Sequence, residues 1–171
     1  NRYRSIFTPM KIGLISDTHN FLDESVFHHF EPCDQVWHAG DIGNLDVAKK
    51  LEDFKPFRAV YGNIDGGKLR VMYPARQEFE IEGLKVWMTH IGGSPPRYNR
   101  QVMPALKSQP PDVFICGHSH ILKIMTDKNL KNMLYLNPGA AGRQGFHQVR
   151  TLIMFDVSEG KVSQMQVIEL G

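Results

Sequence analysis

Seven side chains of types that bind metal ions follow short apolar segments in this sequence of 171 residues. A glycine directly precedes several of them, which allows a tight turn and a close approach of the backbone to a ligand. The least ordinary pattern is Gly-His-Ser-His at 117–120, where two imidazoles stand two positions apart after an apolar run. The candidate ligands are Asp17, His19, Asp41, Asn63, His90, His118 and His120.

These residues offer only nitrogen and oxygen donors, from two Asp, one Asn and four His. A zinc ion takes about three or four protein ligands, so this donor set suits two ions that share one carboxylate. Mixed imidazole and carboxylate ligands favour Mn, Fe, Co, Ni or Zn over Ca or Mg. Two ions about 3.5–4 Å apart are the usual arrangement for displacement at phosphorus. The pattern therefore predicts phosphoester chemistry.

Each motif taken alone has a simpler structural interpretation. Asp-Thr-His at 17–19 is typical of a turn or of a capped helix start, and glycine followed by Asp or Asn is common in turns. A lone His90 is more often a strand-end histidine that is hydrogen-bonded to a backbone carbonyl. Because five such motifs occur at the ends of five predicted strands, a shared functional site explains them better than five separate turns.

The elements that must position these residues are short strands, separated by helices in the first half of the chain. This alternation predicts a parallel sheet with right-handed crossovers. The second half predicts a hairpin, a helix kinked or shortened by Pro104, one more buried strand and four final antiparallel strands. The predicted strands are 10–16, 34–39, 57–61, 76–81, 84–89, 112–116, 122–126, 133–136, 151–157 and 162–169. The predicted helices are 23–30, 99–108 and 45–54, the last with Leu45, Ala48, Leu51 and also Phe54 as candidates for one face.

We expect one α/β domain over residues 10–171, preceded by a poorly ordered extension at 1–9. Its architecture is expected to be a two-layered mixed β-sheet sandwich flanked by helices. Ligand sites of open α/β sheets gather outside the carboxyl ends of the strands. Since each candidate ligand follows a predicted strand, we expect one metal site at those strand ends.

The composition excludes several other classes of protein. Hydrophobic residues make up 42% and charged residues 22% of the chain, which is typical of a globular domain. A net charge of +2 without a Lys/Arg run gives no support to a nucleic-acid partner. There is no membrane-spanning apolar run, residues 1–10 lack signal-peptide features, and Cys33 and Cys116 are too few for a disulfide framework. We expect a cytoplasmic protein with no membrane partner.

Taken together, the motifs resemble those of the calcineurin-like metallophosphoesterases, in order and spacing, from residue 10 to about 170. The short chain and the turn at Asn137-Pro138-Gly139 are similar to the small bacterial and archaeal phosphodiesterases, with the eukaryotic retromer subunit a more distant relative of the same fold. The motifs that carry the resemblance are Asp17-X-His19, Gly40-Asp41, Gly62-Asn63-X-Asp65, His90 and Gly117-His118-X-His120.

The resemblance implies two divalent transition-metal ions, with manganese first and Ni, Fe, Co or Zn as alternatives. It implies a hydroxide that bridges the metals as the nucleophile, and catalytic roles for Asp41, Asn63 and His90. The implied ligands are Asp17, His19 and His120 for one ion, and Asn63, His90 and His118 for the other, with Asp41 bridging.

Two positions depart from the pattern of that superfamily. Many of its phosphatases place a histidine after the motif asparagine, where it can protonate the leaving group, but Ile64 stands there in this chain. The segment His90-Ile91-Gly92 also lacks the second imidazole of the usual His-Gly-His. The small phosphodiesterases often lack the first of these histidines. The departures therefore argue against broad monoesterase activity rather than against metal binding.

Five further polar residues have both a functional and a structural interpretation. Arg97 and Arg143 either bind the substrate phosphate through a planar guanidinium or are solvated surface residues. His38 either orients a ligand or packs as a strand residue, and His147 is a candidate to approach the site. Asp65 is expected to cap a turn or to support a ligand.

The resulting prediction is a binuclear-metal phosphodiesterase that hydrolyses a small phosphoester. The alternatives are a non-catalytic metal-binding scaffold of the same fold, like the retromer subunit, and a nuclease. A scaffold can lose metal ligands without penalty, whereas all seven positions here hold competent donors, which favours the enzyme. A homo-oligomer is kept as an alternative to a monomer.

Overall fold

The chain forms two five-stranded β-sheets, with short α-helices on their outer faces. The structure, a computed structural model, describes residues 8–171, so all but the last two positions of the expected 1–9 extension lie outside the described residues. The strands are β1 (Met10–Ile15), β2 (Gln35–His38), β3 (Phe57–Ala59), β4 (Arg76–Ile81), β5 (Leu84–Thr89), β6 (Gly93–Ser94), β7 (Arg97–Tyr98), β8 (Val113–Ile115), β9 (Leu122–Asp127), β10 (Met133–Pro138), β11 (Thr151–Ser158) and β12 (Lys161–Glu169). The helices are α1 (Ser25–His29), α2 (Leu45–Phe54), α3 (Lys68–Met72) and α4 (Met103–Ser108), with a 3₁₀ turn at Lys128–Leu130.

The first sheet has β1 at its centre, in the order β12–β11–β1–β2–β3. Strands β1, β2 and β3 are parallel, because α1 and α2 carry the chain back between them. Strand β11 pairs antiparallel with β1, and β12 pairs antiparallel with β11. The three parallel strands therefore end at the same edge of the sheet, as the sequence predicted.

The second sheet has the order β4–β5–β8–β10–β9. Its three central strands are parallel, with β8 paired to both β5 and β10, while β4 and β9 pair antiparallel at the edges. The sequence predicted that β10 is an antiparallel strand. This is correct for its pairing with β9 but wrong for its pairing with β8, which is parallel. The reason is that β9 runs back from the end of β8, and the turn after β9 returns β10 in the original direction.

The apolar faces of the two sheets pack against each other to form the central core. Ile12 and Leu14 from β1 meet Val86 and Met88 from β5, and all four are buried, as is Phe155 from β11. Because alternate residues of a strand face opposite sides, the intervening residues of β1 face the helices instead. This packing confirms the predicted two-layered mixed sandwich.

The helices cover the outer faces of the sandwich. Phe30 follows α1 and packs on the first sheet, where a Cβ atom on Gly13 would lie 2.8 Å from its ring. Leu51 of α2 joins the same cluster, and Leu106 of α4 packs against Phe114 of the second sheet. Within residues 8–171, every helix is too short to cross a membrane.

Four local features differ from the sequence-based expectations. Helix α3 and the hairpin β6–β7 were not predicted, since five residues and two residues per strand are too short to show a hydrophobic period. Leu45 shares a predicted helix face with Ala48 and Leu51 but is 39% exposed, and the buried residues of α2 are Val47, Ala48 and Leu51. Helix α4 begins at Met103, so that Pro104 lies in its first turn, where a missing N–H is tolerated.

Phe155→Ala should lower the free energy of unfolding by about 3–5 kcal/mol, because it leaves a cavity in a fully buried part of the core. Val71→Ala is the control, since Val71 is 87% exposed on α3 and its truncation should change stability by less than about 0.5 kcal/mol. Urea denaturation followed by circular dichroism measures both. Equal stabilities for the two variants would contradict the assigned packing.

Candidate metal centre

The loops that follow five parallel strands meet at one end of the sandwich. Backbone hydrogen bonds join them: the N–H of Asp17 donates to the Gly40 carbonyl at 3.0 Å, and the N–H of Gly117 donates to the His90 carbonyl at 3.0 Å. The N–H of His118 donates to Asp17 Oδ2 at 3.1 Å, which joins the two sheets. All seven predicted ligands lie on these loops.

One group of candidate ligands surrounds Asp17, which follows β1. Its Oδ1 lies 3.2 Å from His120 Nε2 and 3.6 Å from His19 Nε2. The ligand atoms of the three residues lie within 4.8 Å of one another. The other oxygen of Asp17 accepts hydrogen bonds from Ser16 Oγ and from the N–H of His118. Asp17 thus presents one oxygen to the group and is held in place through the other.

A second group surrounds Asp41, which follows β2. Its Oδ2 lies 3.1 Å from His90 Nε2, and His118 completes a set whose ligand atoms lie within 4.8 Å. The Oδ1 of Asp41 accepts a hydrogen bond from the N–H of Ile64 at 3.1 Å. Asn63 joins this group through its Oδ1, which lies 3.0 Å from His118 Nδ1.

The Asp41 carboxylate stands between the two groups. Its Oδ2 lies 3.3 Å from His19 Nε2 of the first group as well as 3.1 Å from His90 Nε2 of the second. Each group also takes residues from both sheets, since Asp17, His19 and Asp41 follow strands of the first sheet and the remaining histidines follow strands of the second.

Three atoms of this cluster are buried and lack a hydrogen-bond partner among the described residues: Asp17 Oδ1, His19 Nε2 and His90 Nε2. Leaving such a group unpaired costs about 1–3 kcal/mol. The His90 ring is oriented by its Nδ1–H, which donates to the Ala39 carbonyl at 2.7 Å and leaves the Nε2 lone pair facing the cluster. Divalent cations would satisfy all three atoms, so the donor set fits metal ions.

Carboxylates and imidazoles shift one another's ionisation in this cluster. Burial alone would raise the pKa of Asp17, but the neighbouring imidazoles of His120 and His19 hold that pKa below its ordinary value. Burial alone would lower the pKa of His90, but Asp41 and Asp17 raise it above its ordinary value. The two aspartates are therefore negatively charged over the neutral pH range and attract cations.

The backbone at the centre is strained. Five of the seven candidate ligands have left-handed φ angles: Asp17 (53°), His19 (44°), Asp41 (56°), His118 (69°) and His120 (62°). Such conformations cost about 1–3 kcal/mol each for residues other than glycine, and they persist at functional sites because the surrounding structure imposes them. The strain is a second, independent sign that these loops are built for a ligand.

Two glycines allow the loops to approach this closely. A Cβ atom at Gly62 would lie 2.0 Å from Asp41 Oδ1, and one at Gly117 would lie 2.2 Å from Ser16 Oγ. Both contacts are far shorter than side chains permit. The glycines that precede these ligands in the sequence thus allow one loop to pack closely against another.

Two buried polar residues hold the ligand loops from behind. The Asp65 carboxylate accepts hydrogen bonds from the N–H groups of Gly62, Gly43 and Ile42, at 2.8–3.1 Å. It therefore connects the loop after β3 with the loop that carries Asp41. This is the supporting role that the sequence allowed for Asp65.

His38 connects the first two loops. Its Nδ1 accepts a hydrogen bond from the N–H of Gly40, so its Nε2–H donates to Thr18 Oγ1, which in turn donates to the Ile42 carbonyl. Burial lowers the pKa of His38 to about 4, so the ring is neutral at neutral pH. Thr18 lies between two candidate ligands, and His38 therefore fixes their loop through its hydrogen bonds with Thr18 and Gly40.

The remaining predicted site residues differ in their positions. Arg97 is exposed on β7 and lines a cavity that His118 also lines. The guanidinium carbon of Arg143 instead lies 3.9 Å from the centre of the Phe21 ring. The His147 ring lies 5.1 Å from that of His120, and its Nε2 is hydrogen-bonded to the Gly142 carbonyl.

One residue beside the centre was missed by the sequence analysis. Arg70 of α3 lines a cavity together with Asn63 and His90. Nothing in the sequence marks it, because α3 was not predicted and a single arginine after Gly66-Gly67 has the pattern of an ordinary surface loop.

The chain is similar to known proteins along most of its length. The model of the calcineurin-like phosphoesterase superfamily domain matches residues 10–160. A probable metallophosphoesterase of Methanothermobacter thermautotrophicus is 36% identical over 137 residues, which are 77% of each chain. A solved structure of a novel archaeal phosphodiesterase is 28% identical, with a TM-score of 0.74 over 94% of this chain and 100% of that one. Zinc-bound Vps29 of Entamoeba histolytica shares the fold alone, at 18% identity and a TM-score of 0.64, covering 95% of this chain and 100% of that one.

Asp65→Ala should lower the free energy of unfolding by at least about 3 kcal/mol, because three backbone N–H groups lose their buried acceptor. Asp53→Ala serves as the control. Asp53 is exposed on α2, and its substitution should change the free energy of unfolding by less than about 0.5 kcal/mol. Denaturant titration of both metal-free variants tests the difference. If the Asp65→Ala protein were as stable as the control, the Asp65 carboxylate would not be what connects the loop after β3 with the loop that carries Asp41.

Proposed function

Since this chain belongs to the calcineurin-like phosphoesterase superfamily, we propose that it is a metal-dependent phosphodiesterase with a binuclear centre. The observation that carries the proposal is the position of Asp41 Oδ2, within 3.3 Å of a histidine nitrogen from each ligand group. One carboxylate oxygen placed between two donor sets is what a shared ligand of two ions requires. Residues 10–171 form the single catalytic domain of this proposal.

In this proposal each ion takes its ligands from both sheets. Asp17, His19 and His120 would hold the first ion, and Asn63, His90 and His118 would hold the second, with Asp41 as a ligand of both. The mixture of imidazole and carboxylate donors favours transition metals, manganese first, with nickel, iron, cobalt or zinc as alternatives. When bound, the ions supply positive charge for the phosphoryl oxygens and an activated water as nucleophile.

The protein's part in the reaction is orientation and charge. The N–H of Ile64 fixes one oxygen of Asp41, and the Ala39 carbonyl fixes the His90 ring, so that both donors are preorganised. We assign Arg97 the role of binding a phosphate oxygen, and this is supported by the cavity that it lines together with His118. Arg143 is a weaker candidate for this role because its guanidinium stacks on Phe21.

The residue after Asn63 bears on the choice of substrate. Ile64 is 45% exposed, and its side chain has no proton to give to a leaving group. General acid catalysis is worth roughly 10²–10⁴ in rate when the leaving group is poor. The chain therefore favours small phosphodiesters whose leaving group is weakly basic.

A non-catalytic scaffold is the second candidate function. The Vps29 structure of the same fold contains zinc, so metal binding by itself does not separate a scaffold from an enzyme. The relatives at 36% and 28% identity are a probable metallophosphoesterase and a phosphodiesterase, and this favours the enzyme. The two functions are separated by catalysis rather than by metal content.

Removal of metal should abolish phosphodiesterase activity, and a transition metal should restore it better than magnesium because four of the seven ligands are imidazoles. The protein is stripped with a strong chelator, and Mn, Ni, Zn and Mg are restored in turn. Hydrolysis of bis-nitrophenyl phosphate and of a phosphomonoester is then measured. Full activity of protein shown by elemental analysis to be metal-free would contradict the mechanism, and inactivity with every metal would favour the scaffold.

Asp41→Asn should lower kcat/KM by at least about a hundredfold, the scale of a single strong electrostatic contribution. The substitution keeps the shape of the side chain but removes the charge that lies between the two groups. Asp53→Asn on α2 is the matched control and should retain parental activity. Parental activity in Asp41→Asn, with both metals retained by elemental analysis, would refute the shared-ligand role.

A further inference from the structure

We propose that Arg70 binds an anionic phosphate oxygen of the substrate, in a cavity beside the second ligand group. This inference rests on the proposed function, and it adds a binding residue that the sequence motifs do not contain. It follows from the position of Arg70, from the contacts that fix its guanidinium and from its lack of a neutralising acid.

The cavity opens directly onto the candidate metal centre. It has a volume of about 250 Å³, and two predicted ligands, Asn63 and His90, form part of its wall. Tyr61, Arg70 and Gln101 line the remainder with other residues. A phosphoester whose phosphorus lies at the centre would therefore extend one of its groups, or one of its oxygens, toward Arg70.

The guanidinium of Arg70 is held in place. Its Nε donates a hydrogen bond to the Asp65 carbonyl, and its central carbon lies 4.7 Å from the centre of the Tyr61 ring. Both partners belong to the loop after β3 that carries Asn63. The Arg70 side chain is exposed to solvent, but these two contacts hold its guanidinium against the ligand loop. Among residues 8–171, its two terminal nitrogens form no hydrogen bond, so they are available to a ligand.

No acidic side chain among the described residues neutralises the charge of Arg70. Asp65 is close in sequence, but its carboxylate accepts hydrogen bonds from three backbone N–H groups. Among residues 8–171, Arg70 forms no ion pair within 4.0 Å. A fixed, unneutralised guanidinium matches the geometry of a phosphate oxygen pair.

Two sources of that oxygen are consistent with the cavity: the scissile phosphoryl group itself, or a second phosphate on the ester group that enters the cavity. A nitrophenyl diester with a single phosphate and a nitrophenyl diester with an additional phosphate distinguish them. Loss of activity on both substrates identifies the scissile phosphoryl group. Loss on the second substrate alone identifies the additional phosphate. Either result supports an oxyanion site at Arg70.

The test compares Arg70→Gln and Arg70→Lys with Arg58→Gln in the manganese-loaded protein. Arg58 is the matched control because its guanidinium also stacks on an aromatic ring, that of Phe79 at 4.0 Å, but does not line the cavity. Arg70→Gln should lower kcat/KM by at least about tenfold, as expected for loss of a hydrogen bond to a charged group. Arg70→Lys should retain part of the activity because it keeps the charge. Arg58→Gln should stay within about twofold of the parent.

A second readout does not depend on turnover. Isothermal titration with orthophosphate should give a dissociation constant at least about tenfold weaker for Arg70→Gln than for Arg58→Gln, with equal metal content and equal unfolding midpoints. Equal phosphate affinity and equal kcat/KM in these two variants would overturn the proposal. If the parent hydrolyses no ester, the proposed function fails, and the orthophosphate titration still decides whether Arg70 binds a phosphate oxygen.

Discussion

The arrangement of the candidate ligands depends on two buried aspartates, whose two carboxylate oxygens have different roles. In both Asp17 and Asp41, one oxygen accepts hydrogen bonds from the protein and the other faces the histidines. The hydrogen bonds to the first oxygen fix the orientation of the carboxylate. The second oxygen therefore directs its negative charge into the small space between the histidines. Negative charge concentrated in this way is costly inside a protein unless cations balance it. This imbalance is what makes the cluster a candidate site for cations.

The surrounding fold supplies the rigidity that such an arrangement needs. Left-handed residues, close loop contacts and unpaired polar atoms all oppose folding locally. They are tolerated because each loop begins at the end of a strand whose apolar residues are packed between two sheets. Behind the loops, His38 and Asp65 form buried hydrogen bonds with loop residues that would otherwise be hydrogen-bonded to solvent. The ligand side chains therefore have few alternative positions. The candidate ligands are thus held in position by residues that are not candidate ligands themselves.

Much of this arrangement could be predicted from the sequence, because strand ends and ligand types leave local signals. The seven candidate ligands, helix α2 and the hairpin β4–β5 fall where the sequence predicted them. The direction of β10 could not be predicted, since strand pairing depends on the path of the chain and not on the residues within a strand. Arg70 was missed for a similar reason: its contacts with Asp65 and Tyr61 arise from a five-residue helix that has no hydrophobic period.

Each ligand group combines residues from both sheets, and this ties ion binding to the mechanics of the sandwich. An ion in either group would crosslink the two layers at one end, while the opposite end is held by apolar packing and by the hydrogen bond from the Gly160 N–H to the Glu82 carbonyl. Because a cation that binds only the folded arrangement stabilises it by mass action, release of the ions would weaken the sandwich from that end first. Amide hydrogens at the carboxyl ends of β1, β2, β5 and β8 would then exchange through local opening, before those in the middle of the strands.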